Sequence, residues 1–142
     1  MVEEAGWATA TISQDDHELE LPISAYTDGI ADFLTSVADL LQGAQSARWC
    51  WIAEPDANWI SVQREGDWVR LAVINVPTML AEIDDPGAEL RLRGSLRLED
   101  LAALALREIS ANFSRLGDHG YRRCWRHPYP SDLVLRIAER QR

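Results

Sequence analysis

Three side chains able to ligate a metal, His119, Cys124 and His127, fall within nine residues, and Cys50 is a fourth candidate far upstream. A structural zinc site needs thiolates and imidazoles that converge on one point, usually as close pairs on both sides of the ion. Here the segment would have to turn back on itself, and the intervening Trp125 and Arg126 read as packing and charge. No metal is therefore expected. The same stretch holds Tyr121, Arg122, Arg123, Trp125, Arg126 and Tyr129, a basic and aromatic patch of the kind that stacks a base or holds a phosphate. A nucleic-acid binder normally shows an overall basic footprint, however, and this chain is acidic. The arginines are expected instead to pair with acids of the first helix, and nucleic acid is not an expected partner.

Other residues with chemical potential have plainer readings. Asp15-Asp16 and Asp84-Asp85 lie in turn-like stretches, where acids serve turn geometry more often than general acid–base work. His17, isolated among acids, reads as a surface residue. Glu54 is the one acid flanked by aromatic residues in a predicted strand, and ending that strand is its simplest role. Asn112-Phe113-Ser114 matches a glycosylation acceptor but sits inside a predicted helix. There is no G-x-G-x-x-G, P-loop, H-E-x-x-H, G-x-S-x-G or C-x-x-C. All 14 basic residues are arginine, so Schiff-base and Walker lysines are excluded outright. No cofactor is expected, and the reading leans away from catalysis.

These residues must be positioned by elements that the pattern makes legible. Trp7–Ile12 and Glu18–Leu21 have β character on either side of a polar run, predicting an N-terminal hairpin. From Thr27, a candidate N-cap, Ile30, Phe33, Leu34, Val37, Leu40 and Leu41 follow helical spacing up to Gly43. Asp28, Asp32 and Asp39 fall on the other side of that helix as an acidic surface.

Ala47–Glu54, Trp59–Glu65 and Trp68–Val76 then read as a three-stranded meander. Gly66-Asp67 suits a two-residue type II′ turn, which pairs Val62 with Leu71 and Ile60 with Val73 on one apolar face. The opposite face carries Trp59, Gln63, Trp68 and Arg70, the surface predicted to meet a partner or ligand. The first turn leaves the face of Trp49 and Trp51 open. A helical turn is expected at Thr78–Ile83 and a fourth strand at Leu90–Arg93. The strongest helix spans Leu98–Leu116 and stops at Gly117, followed by a turn at Asp118–Gly120 and a last helix capped by Ser131. The expected fold is one α+β domain over residues 1–142. An antiparallel sheet packs against two main helices and a short C-terminal one.

The 142 residues carry a net charge of −9, unevenly placed. Residues 1–47 hold nine acids and no arginine; from Arg48 onward 14 acids balance 14 arginines. Such an excess repels nucleic acid and attracts a basic protein if the acids share a surface, although surface charge commonly serves solubility alone. No apolar run approaches the ~18 residues of a membrane span. The start Met1-Val2-Glu3-Glu4 lacks the features of a secretory signal, so a cytoplasmic location and two free thiols are expected.

Trp51-x-x-Glu54-Pro55-x-x-x-Trp59, Arg64-x-Gly66-Asp67-x-Val69 and Tyr121-x-x-x-Trp125 followed by Pro128-x-Pro130 resemble a family of small uncharacterised proteins from high-GC actinobacteria. That resemblance implies no activity and carries over no catalytic residue. The segregated acids, the six tryptophans and the missing motifs predict a non-catalytic interaction module that neutralises a basic partner, as an immunity-type protein does. A homodimer is compatible with the same reading. The rival expectation is a small-molecule binder or hydrolase on the sheet face, with Glu54, Arg70 and the C-terminal arginines as its polar groups.

Overall fold

A computed structural model describes residues 1–3 and 5–141. The hairpin forms as expected and is longer, β1 (Trp7–Gln14) pairing with β2 (His17–Ser24) across the turn residues Asp15 and Asp16. Asp15 takes φ +53°, a left-handed conformation that short polar side chains tolerate better than most. Register places Ala8 opposite Ile23, Ala10 opposite Leu21 and Ile12 opposite Leu19, giving the hairpin one apolar face. Its other face carries Thr11, Ser13, Glu18 and Glu20, all exposed.

Helix α1 (Gly29–Leu41) is capped by Asp28, whose carboxylate accepts the Ala31 N–H at 3.1 Å. The cap is thus one residue later than Thr27. Gly29 is required by contact: a Cβ there would lie 2.7 Å from Cδ1 of Trp51, whose indole N–H donates to the Gly29 carbonyl at 3.0 Å. Leu34, Val37 and Leu40 form the buried stripe.

The meander forms with the expected register and extends to four strands in the order β3 (Ser46–Ile52), β4 (Ala57–Glu65), β5 (Trp68–Val76) and β6 (Glu89–Arg97). Val62 faces Leu71 and Ile60 faces Val73. Gly66 has φ +62° while Asp67 does not share the positive φ, as a type II′ turn requires. Trp49 pairs with Ile60 and Trp51 with Asn58, so both tryptophans lie on the inner face, buried against Phe33 at ring distances of 5.2 and 6.0 Å. Strand β6 is longer than Leu90–Arg93 and shifts register opposite Val73 and Ile74. Residues 77–88 form successive turns instead of the expected helical turn, with Pro77, Pro86 and Gly87 punctuating them.

The hairpin does not extend this sheet. It stays a separate two-stranded ribbon on the inner side, with Gln14 at its tip resting on Gly94 of β6 and Ser24 at its base donating to Glu54 after β3.

Helix α2 (Leu98–Trp125) breaks at Gly117 (φ +70°, ψ 175°) and resumes at once, so the turn expected at Asp118–Gly120 is a second helical piece. Tyr121, Cys124 and Trp125, three and four residues apart, share its buried side. Helix α3 (Ser131–Arg140) begins at Ser131, with Pro130 in the capping position and no side-chain cap, and packs along α1. Hairpin, sheet and all three helices contribute to one hydrophobic core.

Candidate functional site

Among the described residues no helix packs against the outer face of the four-stranded sheet. Odd-numbered residues of β4 point there, and pairing brings Gln63 beside Arg70, Ser61 beside Ala72 and Trp59 beside Ile74. Trp68, Gln63 and Arg70 are exposed; the Arg70 guanidinium pairs with Glu65 at 2.8 Å. Trp59 is half-buried because the loop after β5 folds over it, accepting its indole N–H on the Ala81 carbonyl at 3.1 Å. Three arginines missed from sequence join this face. Arg48 lies over Trp59 and Arg97 over Trp68, each 5.5 Å from the ring centroid, and Arg93 stands opposite Ala72. Placing Arg48 required the β3 register, which the four-residue turn hid.

The acids lie elsewhere. Asp15, Asp16, Glu18 and Glu20 are exposed on the hairpin, and Asp32 and Asp39 are exposed on α1. Asp39 pairs with Arg136 of α3 at 3.7 Å; among the described residues no arginine comes within ion-pair distance of the four hairpin acids. Partial burial, reinforced by the charge of Asp28, pushes the Asp32 carboxyl above its usual range, against an opposing effect of His127. Asp28 is not a free surface acid: besides capping α1 it accepts the Trp125 indole N–H at 2.9 Å.

The basic and aromatic patch is therefore divided. Trp125 and Tyr121 are fully buried and unavailable for stacking, while Arg122, Arg123 and Arg126 point outward from the same helical piece. Nor do these arginines pair with the acids of α1. Arg122 reaches Asp118 on its own helix at 3.6 Å, and the ion pair to α1 comes from Arg136, a residue that charge clustering alone did not single out.

The metal-type residues also separate. His119 is exposed, Cys124 faces the core, and the His127 ring lies 2.7 Å from the Ala25 carbonyl beside Trp125. Among the described residues no three His, Cys, Asp or Glu side chains converge as a metal site. Cys50 and Cys124 are free; Cys50 lies on the outer face of β3, on the opposite side of the sheet from the core. Burial, with the charges of Asp32 and Glu82, pushes the Cys50 thiol up to about 11. It is thus protonated and a poor nucleophile near neutral pH.

A cavity of about 730 Å³ lies between the hairpin, the inner side of β6 and the first half of α2. Its wall is mainly aliphatic, including Ala10, Ile12, Leu71, Leu92 and Ala105, with Phe33 and Trp51 deeper in. None of Glu54, Arg70, Arg122, Arg123 or Arg126 lines it. Nothing in the sequence pattern signalled it, because it exists where the hairpin stands away from β6.

Among the described residues no helix is long and apolar enough to cross a membrane. Comparison with protein-family models, curated proteins and solved structures finds no match for this chain.

Proposed function

We propose that this chain is a non-catalytic interaction module whose acidic hairpin side receives a basic protein, in the manner of an immunity-type neutraliser. The observation that carries this reading is the set Asp15, Asp16, Glu18 and Glu20, all exposed and, among the described residues, without an arginine within ion-pair distance. Unpaired carboxylates keep their field, so they steer a cationic partner and speed its encounter. Four of the arginines, Arg48, Arg70, Arg93 and Arg97, gather on the outer sheet face instead.

The test is a binding comparison at low and moderate salt between the wild-type chain and D15R/D16R/E18R/E20R. These substitutions fall on exposed positions and leave the core intact. Retention of a basic protein by the wild type, lost in the charge-reversed chain, is the expected result. A partner retained equally by both chains would overturn it.

The outer sheet face supports a second contact. Exposed Trp68 with Arg48, Arg70, Arg93 and Arg97 is the aromatic and arginine composition that interfaces favour. Its charge suits an acidic group. W68A with R97A weakens such a contact while leaving hairpin-side binding unchanged. The hydrolase alternative loses support, because Glu54 binds Ser24 after β3, Arg70 pairs with Glu65, and neither lines the cavity of about 730 Å³.

A further inference from the structure

Val62 and Leu71 are cross-strand neighbours on the inner face, yet Val62 is fully buried while Leu71 is not. Ile12, Ile30, Phe33 and Leu96 are likewise only partly buried although they point inward. The cause is the cavity of about 730 Å³ between β1, β6 and α2. Ordinary packing leaves few interior voids larger than a water molecule, so an apolar space of this size is a departure. Small residues create it: Ala8 and Ala10 on the inward row of β1, Gly94 on β6 and Ala105 on α2.

The ends of the cavity are closed by the chain itself. At one end Gln14 lies so near β6 that a Cβ on Gly94 would meet its Oε1 at 2.4 Å. At the other, the Val2 N–H donates to Asn112 Oδ1 at 3.0 Å and its carbonyl accepts from Arg115, pinning the N-terminal residues to α2. Among the lining residues that reach solvent, Thr11 and Ser13 of β1, Ser95 of β6 and Leu104 and Arg107 of α2 mark the mouth. Among the described residues, the only charged side chains of the lining, Arg107 and Glu108, are both exposed and pair with each other at 3.6 Å.

We propose that this cavity binds a small, largely hydrocarbon molecule, with its apolar body under the hairpin and any polar end at the Thr11–Leu104 mouth. The volume lies in the range of about 300–1,000 Å³ typical of small-molecule sites. Closed ends decide against a peptide running through, and an inner wall without charged side chains decides against an ionic ligand, the Met1 ammonium being engaged by the Thr9 carbonyl. Its mouth adjoins the acidic hairpin face, since Thr11 and Ser13 stand opposite Glu20 and Glu18, but none of Asp15, Asp16, Glu18 or Glu20 lines the cavity.

The experiment is a fluorescence titration of the full chain with the neutral probe N-phenyl-1-naphthylamine, repeated with Ala10→Leu, Leu104→Arg and Trp68→Ala. Ala10→Leu fills the space from a partly buried position, and Leu104→Arg obstructs the mouth from an exposed one, so the second variant does not depend on repacking. Saturable one-to-one binding is expected, weakened at least tenfold by each of these two and unchanged by Trp68→Ala on the outer sheet. Competition by dodecanol exceeding that by dodecanoate is also expected. Thermal unfolding gives an independent readout, because filling an apolar void raises the melting temperature of the probe-free protein. The proposal is overturned by the absence of saturable binding, by binding indifferent to both cavity variants, by loss of binding in Trp68→Ala, or by stronger competition from dodecanoate.

Discussion

The indole N–H of Trp125 donates to the carboxylate of Asp28 at 2.9 Å, and the same Oδ1 accepts the Ala31 N–H at the start of α1. One side chain thereby caps a helix and satisfies a fully buried tryptophan 97 residues away. The Asp28→Ala variant loses the cap and strands the indole donor, together about 2–4 kcal/mol. Asp28→Asn keeps an acceptor and should lose less than half as much. Urea unfolding of the two variants checks the difference; equal losses would mean that charge, not hydrogen bonding, is what Asp28 supplies.

Asp32 has the opposite character. Its folded carboxyl holds a proton more tightly than the unfolded chain does, chiefly through partial burial and then through Asp28. Ionising it therefore opposes folding: its favourable contribution is complete below the unfolded value of 3.8 and is lost as pH rises through the folded value. Asp32→Asn should raise the melting temperature near neutral pH and match the wild type once the pH falls below that value. A gain that persists in acid would refute the assignment.

Tyr121 is fully buried, and its hydroxyl makes no hydrogen bond among the described residues. Burial also drives its phenol above the ordinary range. Tyr121→Phe keeps the ring against Tyr129, at 5.4 Å and edge-on, while removing a polar atom without a partner. The variant should be neutral or more stable by up to about 1 kcal/mol. A clear loss by calorimetry would show that the hydroxyl is paired in solution.

With Cys124 replaced by serine, Cys50 becomes the only thiol and its reactivity can be timed alone. A thiol near 11 rather than its reference of 9.0 has a thiolate fraction lower by roughly a hundredfold at neutral pH. Modification by a disulfide reagent should be slow in the native protein and accelerate by about that factor in denaturant. Equal rates would place Cys50 in water.

Trp68 is 48% exposed on the outer sheet face, under Arg97. Trp68→Ala should cost less than about 1 kcal/mol, since exposed cation–π pairs are worth about 0.5–1. Mild loss in thermal unfolding would leave its size to be explained by contact with a partner; a loss of core magnitude would make it structural.

Periodicity and turn chemistry made much of this architecture legible. The alternation around Gly66-Asp67 determined the β4–β5 register by itself, because only a two-residue loop aligns Val62 with Leu71 and Ile60 with Val73. The apolar stripe of α1, and the break that Gly117 introduces in α2, were equally local. So was the concentration of acid before Arg48, since it is a property of the chain rather than of its folding.

Tertiary structure decided which residues share a surface. Trp125 stands among arginines in sequence, but a second helical piece after Gly117 turns Tyr121, Cys124 and Trp125 inward and leaves Arg122 and Arg123 outside. Asp28 looked like one of three surface acids until the fold brought a buried indole to it. The face of Trp49 and Trp51 depended on a long-range register, and the cavity on how far the hairpin stands from β6. Hydrophobic spacing says which side of an element is apolar, but not what it meets or how closely. Those distances are set when separate elements pack, and they decided which charges and aromatics stand exposed together and where the cavity lies.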